Sequence, residues 1–155
     1  VGADRIVNDV AAIRKYGAPL IVIDFGTATT FNAINEKGEF IGGAVAPGMR
    51  GSLDSLVSGT AKLPRVEIET PKSVIGKNTT TNLQAGLVFG FAGLVDYIVK
   101  KTKREMKLPD IQVVATGGFS GIIAKEVGCI DHVDKLLTLQ GLKYLYDLNC
   151  SEGKK

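Results

Sequence analysis

A short polar segment, Asp24-Phe25-Gly26-Thr27, follows an apolar run and carries the groups that a phosphate site needs. A glycine lets the backbone come close to an anion, and a threonine offers a hydroxyl and an amide to a phosphate oxygen. Asp24 is placed to hold a cation or a water molecule beside that phosphate. An ordinary β-hairpin turn explains the same four residues equally well, so the segment by itself leaves both interpretations open.

An aspartate and an arginine stand side by side in Gly2-Ala3-Asp4-Arg5, at the start of a predicted helix. A carboxylate there can deprotonate an attacking hydroxyl during phosphoryl transfer. A guanidinium can clamp a carboxylate or a phosphate with two parallel hydrogen bonds. Taken alone, a helix N-cap aspartate followed by a solvent-facing arginine is the more frequent explanation.

Two further glycine-containing segments precede predicted helices. Thr116-Gly117-Gly118 follows a predicted strand, where glycines permit the close approach of a nucleotide and a helix N-terminus favours anions. Many strand-to-helix turns look the same, so this signal is weak. Gly76-Lys77-Asn78-Thr79 lacks the spacing of a P-loop and resembles a capping sequence at least as much as a ligand site. Gly42-Gly43 and Ala46-Pro47-Gly48 either line a pocket or only turn the chain.

The composition argues against several other classes of function. The chain has 155 residues and a net charge of +3, and its basic residues cluster only at 100–104, so no nucleic-acid surface is predicted. Cys129 and Cys150 have no CxxC partner and His132 is the single histidine, so no zinc site is predicted and His132 is expected to be structural. The longest apolar run, 85–95, is too short to cross a bilayer. A soluble, cytoplasmic protein is expected.

The elements that must position these groups begin with a helix and three strands. Residues 4–16 are predicted to form an amphipathic helix, with Asp4 as its N-cap and Gly17 as its stop. Strands are predicted at 19–24, 29–34 and 40–45, which together form an antiparallel meander. The apolar face of the helix is expected to consist of Ile6, Val7, Val10, Ala11 and Ile13.

The second half of the chain is predicted to add mostly helices. The helices are expected at 49–58, 82–106, 119–127 and 139–148, and the strands at 66–68 (an edge strand) and 111–115 (a buried strand). Thr79-Thr80-Thr81 is expected to cap the long helix. Gly86, Gly90 and Gly93 recur on that helix, which indicates a close contact with another helix or another subunit. The whole pattern predicts one α/β domain with a mixed sheet flanked by helices.

The ordered segments GADR, DFGTATTF, GGAVAPG, TAKLPRV, IGKNT, ATGG and IDHVD…LTLQGL span nearly the whole chain. This set resembles the type III pantothenate kinases, a family of the acetate and sugar kinase/Hsp70/actin superfamily. The resemblance implies an actin-like ATPase domain of the ribonuclease H-like class. It also implies the reaction, in which ATP phosphorylates the hydroxyl of pantothenate in the first step of coenzyme A biosynthesis.

The resemblance also implies a role for each matching residue. Asp4 would accept the proton from the substrate hydroxyl, and Asp24 would bind a monovalent cation, potassium or ammonium. Magnesium would arrive with the nucleotide. The remaining site residues fall into two groups, with Gly2, Ala3, Arg5 and Thr79 beside Asp4 in the pantothenate site, and Gly26, Thr27, Gly117 and Gly118 at ATP.

The resemblance is incomplete, because members of the family begin with another domain that carries an Asp-x-Gly-Asn-Thr phosphate loop. Residues 1–155 are therefore expected to be a single domain, the C-terminal half of a two-domain, homodimeric kinase, with little activity by itself. Two alternatives remain open. One is a nucleotide-binding regulatory or accessory module without kinase activity, and the other is a kinase of the same superfamily that acts on another hydroxylated substrate.

Overall fold

The computed structural model describes residues 2–59 and 65–152, in which a five-stranded sheet lies between two layers of helices. In chain order the elements are α1 (Ala3–Tyr16), β1 (Leu20–Phe25), β2 (Ala28–Ile34), β3 (Phe40–Pro47), α2 (Met49–Ser58), α3 (Thr79–Met106), β4 (Gln112–Gly117), α4 (Ser120–Ala124), β5 (His132–Val133) and α5 (Leu137–Glu152).

The strand order in the sheet is β3-β2-β1-β4-β5. The first three strands form the predicted antiparallel meander, while β4 lies parallel to β1 and β5 lies parallel to β4. This arrangement confirms the predicted α/β fold class, a mixed sheet with a three-stranded meander and flanking helices. The parallel pairing of β1 with β4 has a consequence for the site, because it brings the carboxyl ends of two strands to the same edge.

The two faces of the sheet carry different side chains, since successive residues of a strand point to opposite faces. In β1, Ile21, Ile23 and Phe25 belong to the large apolar core that is covered by α2, α3 and α4. Leu20 and Val22 belong to a smaller core with residues of α1 and α5. The alternation therefore places Asp24 on the α1 side of the sheet, near the end of the strand.

Helix α1 differs from the prediction in which of its faces is buried. Its buried residues are Val7, Asn8, Asp9, Ala11 and Ala12, whereas Ile6 is 50% exposed. Of the predicted apolar face, Ile6, Val7, Val10, Ala11 and Ile13, the prediction is confirmed for Val7 and Ala11 and wrong for Ile6. The helix instead turns polar side chains towards polar side chains of the sheet. The N-cap is Gly2, without a side-chain bond, so Asp4 is not the cap but an exposed residue of the first turn.

Helix α1 is fastened to the rest of the domain in its last turn and near its middle. In the last turn, Lys15 Nζ lies 2.7 Å from Asp134 Oδ2, and the Tyr16 hydroxyl donates to the same oxygen at 2.9 Å. Gly141 of α5 sits so close to α1 that a Cβ atom there would lie 2.3 Å from the carbonyl oxygen of Val7. The helix is thus held against the sheet and α5 in a fixed position.

Other differences lie at short elements. Residues 66–68 form no strand, and the backbone carbonyl of Glu67 accepts a hydrogen bond from Gln84 Nε2 of α3 instead. Helix α4 is shorter than the predicted 119–127, and α5 is longer than the predicted 139–148. The strand β5 was not predicted, because two residues are too few to show the alternation of apolar and polar residues that indicates a strand. His132 in β5 bonds to Gln112 and stacks on Tyr16, as expected for a structural residue.

Helix α3 is the longest element, and by length and composition alone it could cross a membrane. It packs on the sheet with Leu87, Val88, Val95 and Val99 in the large core, which is the environment of a domain's core helix. Its cap is a capping box between Asn78 and Thr81, so the helix begins three residues before the prediction. TAKLPRV, one of the segments that carried the resemblance, falls largely on residues 60–64, outside the described residues.

The predicted contact at the glycines of α3 is not made among residues 2–59 and 65–152. Gly86, Gly90 and Gly93 are exposed, and no described atom lies within 4 Å of where their Cβ atoms would stand. A contact with another helix of this domain is therefore wrong for the described residues. A contact with another subunit stays a prediction.

Candidate active site

Asp24 is the best-defined polar group at the carboxyl edge of the sheet. It is half-buried near the end of β1, and its Oδ2 accepts a hydrogen bond of 2.9 Å from Asn8 Nδ2 of α1. Asn8 is itself held from the other side, since the hydroxyl of Thr138 on α5 donates to its Oδ1 at 2.6 Å. The orientation of the Asp24 carboxylate is therefore fixed by three elements, β1, α1 and α5.

A second carboxylate lies close enough to Asp24 to change its protonation. Burial raises the pKa of Asp24, the hydrogen bond from Asn8 lowers it, and the negative charge of Asp4 raises it further. Asp4 is exposed one helical turn before Asn8, so it faces solvent at the same edge. Two carboxylates with different exposure thus share one site, an arrangement suited to acid–base chemistry or cation binding.

The connection between β1 and β2 consists of Gly26 and Thr27, and both are exposed. The amide of Gly26 donates to the carbonyl of Ala28 at 3.1 Å, which closes a tight turn. Gly48, at the start of α2, packs on this turn so closely that a Cβ atom there would lie 2.1 Å from the carbonyl oxygen of Thr27. The Ala46-Pro47-Gly48 segment therefore packs against the backbone carbonyls of the connection and leaves Thr27 exposed to a ligand.

Gly117 brings a second loop to the same edge. It ends β4 directly opposite Phe25, with a φ of 95° that side-chain-bearing residues rarely adopt. A Cβ atom on Gly117 would also lie 2.5 Å from the carbonyl oxygen of Phe25. Because β1 and β4 are parallel neighbours, Gly117 and the exposed Gly118 lie beside Gly26 and Thr27.

Arg5 is held by a network that ends in a buried carboxylate. Its Nε donates to Asn32 Oδ1 at 2.8 Å, and its Nη2 bonds to the same oxygen. Asn32 Nδ2 in turn donates to both oxygens of Asp9, at 2.8 and 2.9 Å. Burial raises the pKa of Asp9 to about 6, although the bonds from Asn32 and the charge of Arg5 oppose the rise.

The structure brings most, but not all, of the predicted site residues together. Asp4, Asp24 and the glycine loops lie at or next to the carboxyl edge of β1 and β4, whereas the Arg5 side chain lies against Asn32 of β2, opposite the middle of β1. Gly2 and Ala3 are exposed at the start of α1. Thr79 is exposed as the first residue of α3, and no contact within residues 2–59 and 65–152 joins it to the others.

The donor set at this edge fits a weakly held cation better than a tight divalent site. The described residues contain no group of three histidine, cysteine, aspartate or glutamate side chains that could hold a metal. Asp24 offers one carboxylate oxygen beyond the one bound by Asn8, and the turn beside it offers backbone carbonyls. Magnesium in kinases is bound by one or two carboxylates together with the phosphates of the nucleotide, which this edge also permits.

Comparison with known proteins identifies the family. A model of the type III pantothenate kinase family matches residues 1–101. A type III pantothenate kinase from Moorella thermoacetica is 56% identical over 149 residues, which cover 96% of this chain and 58% of the relative. This chain belongs to the type III pantothenate kinase family.

The chain spans 58% of the length of the Moorella type III pantothenate kinase. Among solved structures it is similar to a Baf family transcriptional activator from Campylobacter jejuni, with a TM-score of 0.68 and 21% identity, over 97% of this chain and 66% of that one. At this level of identity the similarity supports the fold and nothing finer.

Four polar residues of this candidate site were not identified from the sequence: Asn8, Asp9, Asn32 and Thr138. A signal for two of them exists, because Asn8 and Asp9 recur with Arg5 and Ala12 at helical spacing and mark one face of α1. Asn32 lies on the same face of the sheet as Asp24, because it pairs with Val22, which precedes Asp24 by two residues in β1. Thr138 has no such signal, since only the packing of α5 on α1 brings it to Asn8.

Proposed function

We propose that the complete protein, meaning the full natural polypeptide that carries this chain, phosphorylates pantothenate with ATP to form 4'-phosphopantothenate. The observation that supports this most is the meeting of Asp4, Asp24 and the Gly26-Thr27 turn at the carboxyl edge of β1. An exposed carboxylate, a half-buried carboxylate and an open phosphate-binding turn are the parts that phosphoryl transfer to an alcohol requires.

In the proposed mechanism each part has one task. The Asp4 carboxylate accepts the proton of the pantothenate hydroxyl as the hydroxyl oxygen attacks the γ-phosphorus and ADP leaves. The Arg5 guanidinium clamps the carboxylate of pantothenate, with Gly2, Ala3 and Thr79 completing the substrate site. The Gly26 and Thr27 backbone and hydroxyl hold ATP phosphate, and Gly117 and Gly118 lie against the adenosine.

The proposed cations follow from the charges at the site. Asp24 would hold a monovalent cation, potassium or ammonium, next to the phosphates, because it is a single carboxylate whose second oxygen remains for a ligand. Magnesium would bind with ATP and neutralise charge that develops on the phosphates.

The domain organisation is part of the proposal. Residues 1–155 form one domain, and a further domain with the phosphate loop would supply the opposite wall of the ATP cleft. The proposed homodimer is supported by an apolar groove on α3, with a volume of about 360 Å³, that the exposed Gly86 and Gly90 line together with Leu83, Leu87, Phe91 and Leu94. We place the enzyme in the cytoplasm, where its substrates are made.

The test is ATP-dependent phosphorylation of pantothenate by the complete protein. Asp4→Ala should lower turnover by about 10²- to 10⁴-fold, whereas Asp147→Asn, which changes an exposed carboxylate on α5, should leave it intact. Turnover by Asp4→Ala within about threefold of wild type would overturn the assignment of the base. Near-full rates from the 155-residue chain alone would overturn the division into two domains.

A second candidate is a nucleotide-binding regulatory module of the same fold. The observation that motivates it is that a protein of similar fold, from Campylobacter jejuni, is described as a Baf family transcriptional activator. The presence of Asp4, Arg5, Asp24, Thr27 and Thr79 favours the enzyme, because a regulator has no need of a proton acceptor. A panel of pantothenate and sugars, tested with ATP, also decides between pantothenate and another hydroxylated substrate.

A further inference from the structure

Arg5 is bonded to a buried pair of polar residues, Asn32 and Asp9, which an arginine that only faces solvent does not need. Asn32 is 2% exposed and Asp9 is 7% exposed, so a polar pair is buried between α1 and β2. Burying an amide and a carboxylate without bonds is costly, and here the two satisfy each other. The pair therefore has a defined polarity, with the carboxylate inside and the guanidinium towards solvent.

The polarity of the network fixes how Asn32 is oriented. Arginine only donates hydrogen bonds, so the atom of Asn32 that meets Arg5 must be the carbonyl oxygen. The amide nitrogen must then face Asp9, where it donates to both carboxylate oxygens. A flipped Asn32 would place NH₂ against the guanidinium and oxygen against the carboxylate, and both bonds would be lost.

The network uses one edge of the guanidinium and leaves the other for a ligand. Its bonds involve Nε and Nη2 of Arg5, with Nη2 also 3.5 Å from the carbonyl oxygen of Phe31. Within the described residues no hydrogen bond uses Nη1. Gly43 allows this placement, since a Cβ atom there would stand 3.1 Å from Arg5 Nη2 and 1.8 Å from the Phe31 oxygen.

We propose that Asn32 and Asp9 are positioning residues for substrate binding by Arg5: the Asn32 amide holds the Nε–Nη2 edge, and the Asp9 carboxylate fixes the orientation of that amide. The free edge of the guanidinium is thereby aimed at the carboxylate of the substrate before the substrate arrives. Preorganisation of this kind lowers the entropy that binding must overcome. The inference rests on the proposed function, in which Arg5 binds the carboxylate of pantothenate.

The central experiment measures steady-state kinetics of the complete protein with four variants: Asn32→Ala, Asn32→Asp, Asp9→Asn and the double exchange of positions 9 and 32. Asn32→Ala should raise the KM for pantothenate about 10- to 100-fold, the range expected when a hydrogen bond to a charged group is lost. The KM for ATP and kcat should change less than about threefold. Calorimetric titration with pantothenate should show the same loss in affinity without any turnover.

A reciprocal exchange separates positioning from mere packing. Asn32→Asp alone places two carboxylates together and should bind pantothenate as poorly as Asn32→Ala. Combining it with Asp9→Asn restores the pattern, because an amide at position 9 donates to a carboxylate at position 32, which still accepts from Arg5. The double variant should recover at least half of the lost binding free energy, whereas a role in packing alone predicts that the two changes add.

A substrate analogue tests the direction in which the network acts. Pantothenyl alcohol has a CH₂OH group in place of the carboxylate, so Arg5 has no anion to clamp. Asn32→Ala should change the KM for this alcohol less than about threefold. An equal rise in KM for the acid and the alcohol, or for pantothenate and ATP, would overturn the positioning role.

The outcomes also separate this inference from the proposed function. Absence of pantothenate phosphorylation by the wild-type protein would overturn the function. Normal phosphorylation by wild type, with an unchanged KM for pantothenate in Asn32→Ala, would overturn the positioning role alone. If Asn32→Ala does not fold, the double exchange, which preserves volume and hydrogen bonds, provides the same decision.

Discussion

The two faces of the sheet, formed by the same strands, differ in the polarity of the residues that they bury. The face under α3 is covered by a large apolar core that includes Ile23, Phe31 and Val95. The face under α1 has a smaller apolar core and, beside it, the buried polar residues Asn8, Asp9 and Asn32. The comparison shows that one face stabilises the domain by excluding water, and the other holds charged groups in fixed directions.

This difference follows from the physics of burial. Apolar area stabilises wherever it is removed from water, so the α3 face tolerates any well-packed set of side chains. Buried polar groups stabilise only when each donor meets an acceptor, so the α1 face depends on particular partners. Substitutions on the two faces should therefore have separable effects on stability and on activity.

The largest expected effect on activity is at the exposed edge of the α1 face. Asp4→Asn in the complete protein should lower kcat for pantothenate phosphorylation by about 10²- to 10⁴-fold, because it removes the general base. The Tm should change little, since Asp4 is exposed and caps nothing. Rates and a thermal melt check this, and a drop in Tm that matches the loss of rate would contradict the separation of the faces.

The next largest effect is expected on the α3 face, where a substitution should lower stability and leave the kinetic constants nearly unchanged. Val95 is fully buried in the large core. Val95→Ala should reduce the free energy of unfolding by about 1.5 to 3 kcal/mol through lost burial and a residual cavity. Denaturant unfolding of the complete protein measures this, with both KM values expected to stay within about twofold of wild type. A specific rise in one KM would show that the faces are coupled.

A glycine pair sharpens the comparison at the phosphate turn. Gly48→Ala would place a methyl group against the Thr27 carbonyl, so the turn must shift, and the KM for ATP should rise about 10-fold. The control is Gly51→Ala on the same helix, where no described atom lies within 4 Å. That change should leave KM unchanged and stabilise the protein by up to about 1 kcal/mol. Equal effects of both changes would contradict the role of the turn.

The smallest effect is a pH dependence from Asp9. Its pKa of about 6 in the folded protein is above the ordinary 3.8, so the folded state takes up a proton first as the pH falls. Stability relative to Asp9→Asn should therefore increase by about 1 kcal/mol from about pH 7 to pH 4, since solvent screening reduces the energy that the shift in pKa implies. Denaturant unfolding across this range checks it, and a difference that is constant with pH would contradict the raised pKa.

Much of the architecture followed from pattern alone. The meander and α2 were predicted within two residues of their observed ends because strand alternation, turn residues and helical spacing agree locally. The carboxyl-edge position of Asp24 and of Gly117 followed in the same way. The prediction failed at 66–68, where a β-branched pair suggested a strand but the backbone bonds to a side chain of α3.

The buried face of α1 was the more instructive failure. Apolar periodicity selected Ile6, whereas the helix turns Asn8 and Asp9 towards the sheet. Hydrophobic patterns assume that polar residues face water, and this assumption breaks where two polar surfaces can satisfy each other. The sequence contains both halves of the network, on α1 and on β2, but nothing local indicates that they meet.

The amino-acid sequence by itself determined the family, the order of the elements from α1 to α2 and which residue types stand at the ends of β1, β4 and α1. Only the tertiary structure decided that Arg5 is aimed by Asn32 and Asp9, and that Asn8 joins Asp24 to Thr138 across three elements. The physical reason is range. Periodicity, capping and turn chemistry act within a few residues, whereas a hydrogen-bond network between helix and sheet depends on the register and packing of segments far apart in the chain.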